Sequence, residues 1–433
     1  MSAHHPKRRH AVARHGQLTS PHPLARLGII AAVTVAVLVV SIGSVAGFAV
    51  WESLRTITVN AVEIEQDADA APLPPSIGEI EGGANVLVVG TDSCEGQDIA
   101  QFPRCAHDPG GERNDVTMLV HIGDNPHRVT VVSFPRDMLV PIPSCPRADG
   151  TGSYAAMSSQ MMNASYMYGG LPCTVMTVEA LTGIDVQFAA AVRWTGVIEM
   201  SDAIGGVEVC VSEDISDRHT GLNLTEGTHT LEGEEALQFL RIRHGIGDGS
   251  DLGRISNQQQ FMSSLVRKLQ SEGTLSDPSK LFSLASTALQ QVNDHQLILD
   301  KNLADPTRMV QIAMAVRSVP YDEIVFVQYP TTYAADGSHV LPVTSAADVL
   351  FDALRANKAI ELTGESSQGN GVTVIGEATP TPKPTASATP TATATPGGTL
   401  SPTPTPTEAA VELPGSIAGQ TAAQVTCTNK EHG

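Results

Sequence analysis

The stretch "LQFLRIRHGIGDGSDLGRISNQQQ" (residues 237–260) gathers Arg241, Arg243 and Arg254 around a turn holding Gly245, Gly247 and Gly249. Read as a strand, "FLRIR" puts Arg241 and Arg243 two residues apart on one face. Two guanidiniums on one face repel unless an anion or an acid lies nearby, and the planar fork of arginine suits phosphate or carboxylate. The next segment, "DLGRISNQQQFMSSLVRKLQSEG", reads as an amphipathic helix capped at Ser250 or Asp251 and stopped by Gly273. Asp251, Arg254 and Gln258 fall at i, i+3 and i+7 and share one side of it. Phe261, Met262, Leu265, Val266 and Leu269 continue that side, so polar recognition groups run into an apolar wall.

Three further clusters carry chemistry. In "GERNDVTMLVHI", Arg113 and Asp115 stand at the mouth of an apolar strand, and Asp115 is a hard oxygen ligand suited to Mg²⁺. In "VVSFPRDMLVPIP", Ser133, Arg136 and Asp137 close a buried strand beside Pro135. In "VLVVGTDSC", Gly90 and Asp92 end another. Ligands of α/β proteins bind at strand ends. Strand capping accounts for any one cluster but poorly for all of them together. His121 and His244 read as local hydrogen-bonding residues rather than bases.

The elements that must position these residues mix strands and helices throughout. "NVLVVG", "VTMLVHI", "RVTVVSF", "GGVEVCV" and "EIVFVQYP" read as strands, and "TVMTVEALTG", 280–293, 306–317 and 345–357 as helices. Residues 85–357 therefore form a layered α/β/α domain around a central mixed sheet. Residues 1–26 carry five basic residues and no acid, which leaves −25 for the rest of a chain of net charge −20. So acidic a surface argues against nucleic-acid binding. Residues 27–50 are uncharged for 24 residues, long enough for one transmembrane helix, with the basic flank on the cytoplasmic side. Residues 51–84 read as an extracytoplasmic stalk, 358–408 as a disordered Pro/Thr/Ala-rich linker, and 409–433 as a C-terminal segment that could dock through Cys427. All six cysteines follow the apolar run, so disulfides are expected. Six allow 15 pairings; Cys94–Cys105, Cys145–Cys173 and Cys210–Cys427 would staple two loops and the tail.

The motifs "VVGTDS", "ERNDVTMLVHI", "SFPRDMLVPIP", "NASYMYGG", "TVEALTGIDV", "AIGGVEVCV", "LEGEEALQFLRIRH" and "DLGRISNQQQF" occur in that order. Together they resemble the LytR-CpsA-Psr family of bacterial wall enzymes, closely over residues 85–270. The resemblance implies a membrane-anchored phosphotransferase that moves a glycopolymer from a polyprenyl-pyrophosphate carrier onto peptidoglycan. It implies Mg²⁺ held by Asp92 and Asp115, and pyrophosphate gripped by Arg113, Arg136, Arg241, Arg243 and Arg254. Asp137, Asp251 and Gln258 would orient those groups, Asp92 or Asp115 could serve as base, and the apolar side beyond Gln258 could wall a polyprenyl groove. Val116 follows Asp115 where the family often has threonine, and Met161 or Met162 occupies a region where it often has lysine. Alternative readings are a lipid-pyrophosphate hydrolase and a non-catalytic wall-binding regulator using the same anion site.

Overall fold

A computed structural model describes residues 61–64, 73–80, 83–107, 110–124, 127–147, 149–271, 277–317, 319–378 and 410–431. The basic segment 1–26 and the apolar run 27–50 lie outside the described residues. Among the described residues no helix is long and apolar enough to cross a membrane.

In chain order the elements that matter are β1 (Ala84–Thr91), β2 (Asn114–Ile122), β3 (Val129–Phe134), α1 (Ala164–Thr182), β4 (Phe188–Val192) and α2 (Trp194–Ala203). Next come β5 (Val207–Val211), β6 (Gly227–Leu231), α3 (Gly233–Arg241), α4 (Asp251–Ser271), α5 (Pro278–Asn293), β7 (Leu297–Leu299) and α6 (Pro306–Arg317). The last are β8 (Ile324–Gln328), α7 (Thr344–Arg355), β9 (Val372–Glu377), β10 (Gly419–Thr421) and β11 (Gln424–Thr428).

The β-branched runs pair as their sequences imply. A seven-stranded sheet has the order β7-β4-β1-β2-β3-β8-β10. It is mixed, with β1/β4 and β3/β8 parallel and the other pairs antiparallel. Successive residues of β1 face opposite layers. Leu87 and Val89 pack with Val175 and Val178 of α1 and Leu350 and Phe351 of α7. Val86 packs on the other side with Val292 of α5 and Ala315 of α6. The result is the expected α/β/α layering. A second sheet has the order β6-β5-β11-β9.

Both flanks of the domain differ from the sequence reading. In the expected stalk, Val62 donates to the Leu299 carbonyl (2.9 Å), and Ile64, Ile77 and Ile80 are buried in the core. Isolated isoleucines in a polar stretch mark contact points that composition averages away. In the expected linker, "VTVIGE" forms β9. The tail supplies β10 to the edge of the large sheet and β11 to the centre of the small one. Disulfides Cys94–Cys105, Cys145–Cys173 and Cys210–Cys427 all form, the last closing 217 residues.

Helix α4 lies against strands of both sheets. Every residue from Asp251 to Phe261 is buried, although "SNQQQ" is wholly polar. The side chains find backbone partners instead of water, as buried polar groups must. Asn257 donates to the Phe239 carbonyl (2.7 Å) and Gln258 to that of Leu240 (2.8 Å). Gln260 donates to the carbonyls of Cys210 and Thr426 (both 2.8 Å), and the Thr428 hydroxyl lies 2.5 Å from side-chain oxygens of Asn257 and Gln260. The apolar side of α4 is core, not a groove: Phe261 stacks near Phe239 and joins the cluster under β5 and α3, with Met262 and Leu265 packed beside it. Those side chains are taken up by the second sheet, which the sequence alone did not assemble.

Two outcomes follow from this packing. Gln260→Leu strands two carbonyls and a hydroxyl, and should lower unfolding stability by roughly 2–4 kcal/mol in a non-reducing denaturant titration; an unchanged midpoint would show that the tail strand does not depend on Gln260. His121, buried on β2 with Nδ1 2.8 Å from Asn85 Oδ1, has its pKa pushed down to about 4 by burial against a small opposing effect of Asp124. The unfolded chain then takes up a proton below its usual value of 6.5 that the folded chain refuses. Stability should be intact above that pH and fall as pH drops toward 4, and His121→Gln should flatten the slope in thermal melts. A full acid slope in that variant would assign the loss to other groups.

Candidate functional site

Four chain segments bring their polar ends to one end of the central strands of the large sheet. Asp92 follows β1, Asp115 opens the antiparallel β2, and Arg136 and Asp137 follow β3. The first pair is shaped by a bulge: Gly90 pairs with Val116 but Thr91 pairs with Asn114, leaving Asp115 as the extra residue. Bulges re-aim a side chain at such places. Asp92 is tied to the same turn, its amide donating to the Arg113 carbonyl (3.1 Å) and its Oδ1 accepting from the Arg113 amide (2.8 Å). Asn114, fully buried, accepts from Tyr166 N–H (3.3 Å), and Asn163 N–H donates to the Arg136 carbonyl (3.0 Å). The "NASY" segment thus locks the β2 and β3 ends together.

The start of α4 completes the site. Asp251 is 2% exposed, and its Oδ2 accepts from the Arg136 amide (3.0 Å) while Oδ1 faces Arg136 Nε at 3.7 Å and pairs with Arg254. Arg254 Nη2 also donates to the Asp115 carbonyl (2.9 Å), and Arg136 Nη1 donates to Asp115 Oδ1 (2.8 Å). Arg254 Nε is buried with no hydrogen-bond acceptor among the described residues. The helix cap falls to Ser250, whose Oγ accepts from Gly253 N–H at 3.4 Å, leaving Asp251 free for the arginines.

The arginine pair differs from the strand reading. "LQFLR" is helical, with Ala236, Leu237 and Phe239 buried at helical spacing, and α3 ends at Arg241. Arg241 and Arg243 therefore diverge. The Arg241 guanidinium lies 4.4 Å from the centroid of the Trp194 ring, on the site side, whereas Arg243 Nε donates to the Gly249 carbonyl (3.0 Å) and braces the loop into α4. That loop is packed rather than flexible: Gly245 and Gly247 have positive φ, and a Cβ would meet the Ser216 and Gly369 carbonyls at 2.7 and 2.4 Å. Gln258 Nε2 donates to the carbonyl of Leu240, the residue before Arg241 at the end of α3. Arg113 contributes its backbone to Asp92. His244 stacks on His219, with centroids 4.6 Å apart.

Charge distribution reflects this geometry. Burial pushes the Asp115 carboxyl up, but Arg254, Arg136 and Arg241 outweigh it and hold it below the usual carboxylate range. Burial raises Asp92, and the neighbouring Asp115 adds to that. Burial and Asp251 raise Asp137, whose Oδ1 has no hydrogen-bond partner among the described residues. Arg136 stays above its ordinary value because Asp115 and Asp251 overcome burial. Arg241 falls below it through burial, with Arg104 and Arg254 adding repulsion. Asp115 and Asp92 lie near Arg241 and oppose that fall without reversing it.

Three residues at this end of the sheet escape the sequence reading. Arg193, only 4% exposed, is paired with Glu95 (2.7 Å) and Glu112 (3.2 Å), and Thr91 Oγ1 donates to Glu112 (2.7 Å). Trp194 follows it, and Arg104 reaches Asp92. The signal was present for two of them, since "RW" ends the apolar strand "FAAAV" in the same way that the chosen clusters end theirs.

The chain is similar to the cell wall biosynthesis protein LcpA of Corynebacterium glutamicum, with 29% identity over 343 residues, covering 73% of this chain and 61% of that protein. It is similar to the polyisoprenyl-teichoic acid–peptidoglycan teichoic acid transferase TagU of Enterococcus faecalis, with 27% identity over 174 residues, 40% of this chain and 53% of that protein. It thus spans little more than half the length of these relatives. A solved LytR-Csp2A-Psr enzyme from Actinomyces oris aligns with 68% of this chain and 94% of its own, at 24% identity and a TM-score of 0.46. The model of the LytR_cpsA_psr family matches residues 54–355, most of the chain, and the protein belongs to that family.

Proposed function

We propose that the protein is a phosphotransferase of the bacterial wall. It moves a glycopolymer from a polyprenyl-pyrophosphate carrier to a hydroxyl of peptidoglycan, outside the membrane. The observation that carries this reading is the convergence of arginines on one strand-end cluster: Arg136 and Arg254 bond Asp115, and the half-buried Arg241 guanidinium lies near Asp115 and over Trp194. Pyrophosphate oxygens would be charge-assisted acceptors for these guanidiniums. The family, and the transferase named among the relatives, support the substrate class. The uncharged run 27–50 with its basic flank, and three disulfides in the domain, support an anchored protein facing an oxidising compartment.

The chemistry needs little covalent participation from the protein. The acceptor hydroxyl oxygen attacks the phosphorus attached to the glycopolymer, and the bond from that phosphorus to the bridging oxygen breaks. Polyprenyl phosphate leaves, a phosphodiester joins polymer to wall, and the hydroxyl proton passes to a carboxylate of the Asp92–Asp115 pair. Arg136, Arg241 and Arg254 bind the phosphate oxygens and stabilise the charge that develops on the leaving group. Asp251 orients Arg136 and Arg254, and Arg243 positions the loop that starts α4. The two carboxylates Asp92 and Asp115 are close enough for Asp115 to raise Asp92, and Mg²⁺ is commonly held by one or two carboxylates plus substrate phosphates. Asp92 and Asp115 would hold it, and when bound it would neutralise phosphate charge.

In a reconstituted assay with lipid-linked donor and peptidoglycan, Arg241→Ala should cost about 10²-fold or more in transfer, the scale for losing one transition-state donor. Arg243→Ala should cost less than about tenfold, because it acts through the loop. Full activity in Arg241→Ala would refute the assignment. Product analysis separates transfer from hydrolysis, since water as acceptor would release free polymer phosphate.

A further inference from the structure

Arg104 has no part in the roles given so far. Its Nη2 donates to the Asp92 carbonyl at 3.0 Å and lies 3.4 Å from the Asp92 carboxylate. Its guanidinium carbon stands 4.4 Å from the centroid of the Trp194 ring, the same separation that Arg241 keeps from that ring. Two guanidiniums drawn to one aromatic side chain repel each other, and cation–π attraction holds each without neutralising either. Trp194 is itself fixed, buried with its ring 4.9 Å from that of Phe102 in a cluster with Ile198, Leu237, Cys94 and Cys105.

The bridge explains how an arginine on a loop is kept there. Cys94 and Cys105 are bonded with Cα atoms 5.3 Å apart, closing the loop that runs between Asp92 and Arg113. Cys94 is two residues from Asp92 and Cys105 is adjacent to Arg104. The closed loop therefore holds Arg104 by the disulfide, by Asp92 and by the indole at once. Its side chain is still 52% exposed, so it is held on one side and open on the other. A merely solvated arginine would need none of these restraints.

We propose that Arg104 is a further phosphate-binding residue that grips the donor pyrophosphate together with Arg241, and that the Cys94–Cys105 bridge keeps it in place. The proposal rests on the transferase reading above. It makes donor binding dependent on the redox state of one particular disulfide. The ligand class is a lipid-linked pyrophosphate, and inorganic pyrophosphate is a soluble probe of the same grip.

Two readouts test it. The first is binding of inorganic pyrophosphate to the full chain with Mg²⁺ present, followed by the emission of Trp194; Trp51 is the only other tryptophan. The second is the KM for lipid-linked donor in the transfer assay. Arg104→Ala should weaken pyrophosphate binding and raise donor KM about tenfold, with acceptor KM unchanged, and Arg104→Lys should recover part of the loss. The Cys94→Ser/Cys105→Ser pair should shift donor KM in the same direction, and adding Arg104→Ala to it should cost little more, because coupled residues are not additive. Cys145→Ser/Cys173→Ser should leave donor KM in place. Arg104→Ala with wild-type pyrophosphate binding and donor KM, beside an impaired Arg241→Ala, would overturn this inference and leave the transferase reading standing. If neither variant changed binding or transfer, both would fall. A normal donor KM in the double serine variant, with Arg104→Ala impaired, would overturn the role of the bridge.

Discussion

The carboxylate of Asp251 is the interaction on which the site depends. It is buried at the first turn of α4, and it holds the Arg136 amide and the Arg254 guanidinium together. An isolated carboxylate at that depth would be costly, and removing one partner of such a buried pair typically costs about 3–5 kcal/mol. Here the charge is shared with two arginines, and Arg254 passes the restraint on to the Asp115 carbonyl. The partners include backbone groups at the ends of β2 and β3, so the network fixes where those strands stop as well as where the side chains point. A helix start near so much positive charge also favours an anion.

That helix can only begin there because the rest of it is enclosed. Asn257, Gln258 and Gln260 act as replacements for a hydrogen-bonding strand, capping carbonyls of α3, of the Cys210 strand and of the tail. The family match ends at residue 355, yet β9, β10 and β11 lie beyond it and complete both sheets. The Cys210–Cys427 bridge joins two of the strands that Gln260 spans. The tail is therefore part of the scaffold that holds the arginines.

Much of the site was legible because its signals are local. An apolar run that stops on Asp or Arg marks a strand end wherever it lies in the sequence, and Asp92, Asp115 and Arg136 were found in that way. Disulfides were expected from an even cysteine count, but spacing left fifteen pairings open, and the structure forms the three that staple two loops and the tail. The arginine pair was misplaced because "FLRIR" fits a strand by alternation, whereas the preceding "GEEALQ" carries the helix through to Arg241. Gln258 looked like a recognition group because its neighbours on α4 are Asp251 and Arg254, and only the packing of α3 against α4 shows that its amide bonds the Leu240 carbonyl. Arg104 and Trp194 meet across ninety residues of chain, a separation that no period or motif reports. The polar length of 358–378 hid a strand for a related reason: "VTVIGE" pairs with a segment more than forty residues further on.

The most direct test of the account is a crystal structure of the protein with a polyprenyl pyrophosphate analogue and Mg²⁺. The account predicts pyrophosphate oxygens within about 3 Å of the guanidiniums of Arg136, Arg241 and Arg254, with Asp251 still holding Arg136 and Arg254 and with Arg243 still on the Gly249 carbonyl. A pyrophosphate seated away from these three arginines, or gripped by Arg243 and Gln258 instead, would contradict it.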